Sequence, residues 1–134
     1  MYKDGRPRVL VVDDVTMNLK LAEMILQRRL SAEVLLASPG PDCLHLLHRA
    51  KLHLIPLAPA MPDMDGIETL QLIRQERFLG DIPVIFLTAA SDALTVVRAS
   101  EMHANDYIRK PFQADDLVDR VSLVLREQRG FFEN

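Results

Sequence analysis

The sequence predicts one α/β domain built on a doubly wound parallel sheet, and three observations lead there. Short β-type runs alternate with longer helical patterns along the chain. The first run, Arg8-Val9-Leu10-Val11-Val12, is nearly all apolar, as a strand covered on both faces must be. At 134 residues, without an internal repeat or linker, the chain suits a single domain with one ordinary core.

The first strand, Arg8 to Val12, ends in Asp13-Asp14. Leu21, Ala22, Ile25 and Leu26 then recur at helical spacing, giving a helix to about Leu30. A second strand covers Glu33 to Leu36, and Pro39-Gly40-Pro41 turns into a helix carrying Leu44, Leu47 and Ala50. The third strand runs from Leu52 to about Leu57. Asp65-Gly66-Ile67-Glu68 reads as a capping box for a helix with Leu70 and Ile73 inward, closed by Gly80-Asp81. Val84 to Thr88 is the fourth strand, and Ser91 caps a fourth helix to about Met102. Asp106 to Arg109 is a short fifth strand. The last helix shows a clean stripe of Leu117, Val118, Val121, Val124 and Leu125. The pattern is (βα)5, with right-handed crossovers.

Composition narrows the function classes. The chain is 49% hydrophobic and 26% charged, an ordinary globular balance, and its net charge of −3 gives no general pull toward nucleic acid. No apolar run approaches a membrane span, and Met1-Tyr2-Lys3-Asp4-Gly5 is too polar for a signal peptide. The single cysteine, Cys43, has no partner for an internal disulfide, which suits a reducing cytoplasm. Among Leu44, Leu46 and Leu47 it reads as a small core hydrophobe. His45 and His48 at i,i+3, with His53 nearby, lack the acid or thiol of a recognisable metal site and read as solvated. Arg28-Arg29 suits a helix carboxyl end. Phe131-Phe132 after Gly130 reads either as a disordered tail or as the start of a segment that docks elsewhere.

The chemistry collects at the strand ends, where doubly wound sheets bind ligands. The first strand delivers Asp13 and Asp14, the fourth Thr88, and the fifth leads into Lys110-Pro111. Two adjacent acids suit a hard cation such as Mg²⁺, and a lysine with a threonine hydroxyl suits phosphoryl oxygens. An Asp-Asp pair alone can simply turn a chain, and Lys-Pro occurs anywhere. Their joint placement at three strand ends favours a phosphoryl pocket.

Val9-Leu10-Val11-Val12-Asp13-Asp14, Met61-Pro62-Asp63-Met64-Asp65-Gly66, Ile82 to Ala89 and Asp106-Tyr107-Ile108-Arg109-Lys110-Pro111-Phe112 resemble the receiver domain of two-component response regulators, in order and spacing from about Arg8 to Glu127. The resemblance implies a flavodoxin-like sheet of order 2-1-3-4-5. It also implies an aspartate at the end of the third strand that accepts a phosphoryl group from a sensor kinase. That residue lies four positions before the proline of the Met-Pro motif; here the proline is Pro62 and the residue is Ala58, which cannot act as a nucleophile. By the same resemblance, Asp13, Asp14 and the main-chain carbonyl of Ala60 match the Mg²⁺ ligands. Thr88 and Lys110 match the groups that grip the phosphoryl oxygens, Tyr107 the aromatic switch, and Lys110-Pro111 a peptide bond usually cis in the family.

Other departures accompany Ala58. Pro56 falls inside what should be a central strand, where it is expected to end the strand early or force a bulge. Pro59 stiffens the loop beyond, and His103 stands where the family usually has glycine. A third strand altered at Pro56, Ala58 and Pro59 reads as drift after phosphorylation ceased to matter. The expected division is an extension over residues 1–7, a receiver-like domain over 8–129, and a tail or linker start over 130–134. The expected function is a degenerate receiver, not an enzyme, serving as a phosphorylation-independent interaction or regulatory module with at most weak Mg²⁺ binding. Its expected partners are a protein, a neighbouring domain of the same polypeptide or a second copy, with no direct nucleic-acid contact and no membrane. The alternatives are a phosphoryl-accepting receiver bearing Asp→Ala at 58 and, from another class, a small Mg²⁺-dependent phosphohydrolase.

Overall fold

Because Val9 to Val12 have no polar face to turn to water, they form an interior strand, β1 (Arg8–Val12). The structure, a computed structural model, describes residues 6–37, 46, 52–58, 66–75, 82–89, 106–110 and 113–133. After β1 come α1 (Thr16–Leu30), β2 (Glu33–Ala37), β3 (Ile55–Leu57), α2 (Gly66–Gln75), β4 (Val84–Ala89), β5 (Asp106–Lys110) and α3 (Ala114–Glu133). The five strands make one parallel sheet in the order β2-β1-β3-β4-β5, the flavodoxin-like order expected. The segments read as the second and fourth helices lie outside the described residues, save Leu46, which is helical.

Alternate residues of each strand face opposite sides of the sheet, so the core is double. Val9, Val11, Leu54, Ile85, Leu87 and Ile108 pack against α1 and α3. Leu10, Val12, Ile55, Leu57 and Phe86 pack against Leu70 and Ile73 of α2. Burying each such aliphatic side chain is worth roughly 1.5–3 kcal/mol. On α1 the inward face is Leu19, Ala22, Ile25 and Leu26, whereas Leu21 is exposed along with Met17 and Met24. Leu21 therefore departs from the expected stripe: it stands roughly 110° around the helix from the centre of the arc formed by Leu19, Ala22, Ile25 and Leu26.

The carboxyl end of α1 is set by Ser31, in the left-handed region at φ 53° and ψ 32°. The Ser31 and Ala32 N–H groups both reach back to the Leu26 carbonyl, the latter at 3.3 Å. Arg6 covers the end by donating to the carbonyls of Ser31 and Ala32 at 3.0 and 3.2 Å.

Pro56 neither ends β3 nor bulges it. Its register with β4 continues through Ile55↔Val84, Pro56↔Ile85 and Leu57↔Phe86. On the β1 side, pairing is reduced to Val9↔Leu54 and Val12↔Leu57, at one constant offset. The Leu10 N–H donates to the Leu54 carbonyl and the Ala58 N–H to the Val12 carbonyl, at 3.1 and 2.9 Å. Between them the alternation calls for a donor from residue 56 toward Leu10, and proline has none. The missing bond is real; the expected distortion is absent.

His53 is also placed otherwise than expected. It is half-buried, and its Nδ1 accepts the Arg8 N–H at 2.9 Å while its own N–H donates to the Arg8 carbonyl at 2.8 Å. The ring thus extends the β1–β3 pairing by one rung. His45, His48 and Cys43 lie outside the described residues. At the other end, α3 continues through Gly130 to Glu133, into the segment read as a tail. An interior helical glycine costs only about 1 kcal/mol and does not by itself stop a helix.

Candidate functional site

Register fixes the site. Val12 stands level with Leu57, Leu57 with Phe86, and Phe86 with Tyr107. Asp13 and Ala58, each one residue further, therefore leave the sheet side by side at its carboxyl edge. On the neighbouring strands Thr88 is level with Arg109, and Ala89 with Lys110. The edge thus brings the main chains of Asp13, Ala58, Thr88 and Lys110 together in the order β1, β3, β4, β5. Ala60 and Pro111 lie outside the described residues, as do Asp63 and Asp65.

Among the described residues, Asp13 is the only charged one that is fully buried. A buried carboxylate needs hydrogen-bond donors or a counter-charge. Its Oδ1 accepts the Val15 main-chain N–H at 3.0 Å, an Asx-type turn that leads into α1. Its Oδ2 accepts the Asn18 side-chain amide, from the first turn of the helix, at 3.2 Å. Its own N–H donates to the Ala37 carbonyl at 3.3 Å. Position 15, which caps α1, offers no side-chain bond, and its own N–H is the main-chain donor that Asp13 takes up at this helix start. Asp14, by contrast, is exposed. Ala58 is 1% exposed, so a buried methyl group stands at the strand end level with Asp13.

The Ala60 carbonyl, expected as a further Mg²⁺ ligand, lies outside the described residues. Near-octahedral coordination wants several oxygen ligands, yet the described residues contain no group of three or more His, Cys, Asp or Glu able to hold a metal. One of the two carboxylates present already has both oxygens in hydrogen bonds. Asn18 has no part in the motif pattern and is missed by sequence reading. The available signal is a polar amide in the first helical turn, one turn beyond an acid.

Far from this edge, Arg120 of α3 holds the first residue of β5, donating to both Asp106 oxygens at 2.9 and 3.1 Å and to Asp116 at 3.2 Å. The hydrogen bond to Asp116, with the charge of Asp106, holds the guanidinium above its ordinary range.

The profile described as response regulator receiver domain matches residues 9–122. Over 130 residues the chain is 36% identical to the probable transcriptional regulator ycf27 of Galdieria sulphuraria, covering 95% of this chain and 48% of that protein. It is 35% identical to the DNA-binding response regulator MtrA of Mycobacterium tuberculosis over 123 residues, covering 90% and 51%. A putative response regulator from Chloroflexus aurantiacus superposes with a TM-score of 0.85 at 29% identity, covering 90% of this chain and 98% of that one. The chain spans about half the length of the curated relatives it matches.

The partner expectation is thereby corrected. A protein, a neighbouring domain or a second copy, with no direct nucleic-acid binding by this domain, is a reading of this segment's own charge. Its relatives are named for transcriptional regulation and DNA binding, and roughly half of each lies outside the match. A net charge of −3 describes only the residues it counts. Among the described residues, no helix is long and apolar enough to cross a membrane.

Proposed function

We propose, from the premise that the chain belongs to the response regulator receiver domain family, that it is the receiver part of a DNA-binding transcriptional regulator and works without phosphorylation at position 58. One observation carries the reading: Ala58 directly follows β3 beside the buried Asp13, where the chemistry needs a nucleophilic carboxylate. In this reading Asp13, Asp14 and the Ala60 carbonyl are the remnant of a Mg²⁺ site and hold the ion weakly. Thr88, Lys110 and the Tyr107 switch position are relics of phosphoryl recognition, with Lys110-Pro111 the counterpart of the peptide bond usually cis in the family. Regulation then comes from how the domain is held against its DNA-binding partner region, rather than from a phosphoryl group that comes and goes.

The test is chemical. Incubation with acetyl phosphate and Mg²⁺, followed by intact-mass measurement, is expected to give no hydroxylamine-labile adduct of phosphoryl mass. An adduct on Asp13, Asp14, Asp63 or Asp65 would overturn the reading.

A further inference from the structure

We propose that Asn18 is the positioning residue of the acidic pocket, orienting the Asp13 carboxylate by a bond that an incoming cation must share or displace. The inference rests on the weak-metal reading above and explains part of it. Asp13 is buried, and its two oxygens accept from different sources: the Val15 N–H, fixed by the turn, and the Asn18 amide, fixed by α1. A carboxylate held at both oxygens cannot rotate freely. Its orientation is therefore set by the start of α1. The bond is charge-assisted, the stronger class of hydrogen bond, and is partly shielded from water. Each Asp13 oxygen keeps a further acceptor site, so a Mg²⁺ ion, which demands close, near-octahedral oxygens, must take the carboxylate in the orientation these donors impose or displace one of them.

The experiment compares melting temperatures in chelator and in millimolar Mg²⁺ at constant ionic strength. The proteins are the unsubstituted chain, Asn18→Ala, Asn18→Asp, Asp13→Asn and the double variant Asn18→Ala/Asp13→Asn. In chelator, Asn18→Ala is expected to lower the melting temperature by about 3–8 °C, the scale of one charge-assisted bond in a domain of this size. The same change in the Asp13→Asn background is expected to cost less than half as much, because the bond's charged acceptor is gone. Asn18→Asp adds a third acid beside Asp13, so it is expected to melt lowest in chelator and to gain more from Mg²⁺ than the unsubstituted chain does. Equal losses in both backgrounds would make Asn18 a packing residue and overturn the proposal, as would an Asn18→Asp variant indifferent to Mg²⁺. A large Mg²⁺ gain in the unsubstituted chain with the Asn18–Asp13 coupling intact would overturn the weak-metal reading while supporting the positioning role.

Discussion

Replacing Ala58 with aspartate would set a second carboxylate against one that is already buried. Two like charges about 4 Å apart repel by roughly 1–4 kcal/mol between water-like and protein-surface dielectrics. In chelator, Ala58→Asp is therefore expected to melt below the unsubstituted chain, and Mg²⁺ is expected to recover the loss by binding the folded state preferentially. Paired melting curves with and without Mg²⁺ check this; a variant indifferent to the ion would mean that the pocket has lost its metal geometry altogether. Position 58 is legible from sequence because a motif counts back to it from Pro62, and β1–β3 register then seats it beside Asp13. Asn18 is illegible for the opposite reason. Nothing about an asparagine in a first helical turn says that its amide points back at an acid rather than out to solvent.

A proline within a strand warns of a lost donor but not of which neighbour loses it. In a parallel ladder successive residues donate to opposite sides, so the effect of Pro56 falls on β1 alone while pairing with β4 is kept. Pro56→Val restores that donor and a β-branched side chain, and is expected to raise stability by about 1 kcal/mol, read as a higher denaturation midpoint at unchanged slope. A midpoint that does not rise would place the Leu10 carbonyl in some other bond. Similarly, strand and helix existence could be read from alternating patterns, whereas the roll of α1 could not. Leu19 and Leu21 are both leucine, and only packing against β1 and α3 decides that Leu19 is buried. Ser31 offers a second check at this scale. A non-glycine residue at φ 53° carries a steric penalty that Ser31→Gly removes, with an expected gain of up to about 1 kcal/mol.

The two cores share a single sheet, so neither side can melt alone without uncovering the other. Leu117→Ala, on the α3 side, and Leu70→Ala, on the α2 side, empty fully buried sites. Each is expected to cost about 2–5 kcal/mol and to leave one cooperative transition, seen alike by near-ultraviolet and far-ultraviolet circular dichroism. Separate transitions would mean that the faces are independent. The sheet order has a further consequence in time. β1 is made first, yet it lies between β2 and β3, and the His53 ring that completes its pairing with Arg8 comes 45 residues later. At ribosomal speeds of roughly 5–20 residues per second, that interval lasts about 2–9 seconds. Throughout it the nascent chain holds an apolar strand with one side unpaired, a ready template for misassociation. A fragment from Met1 to Lys51 should therefore sediment as aggregate or be retained by chaperones during translation, and a soluble monomeric fragment would show that the open strand is protected some other way.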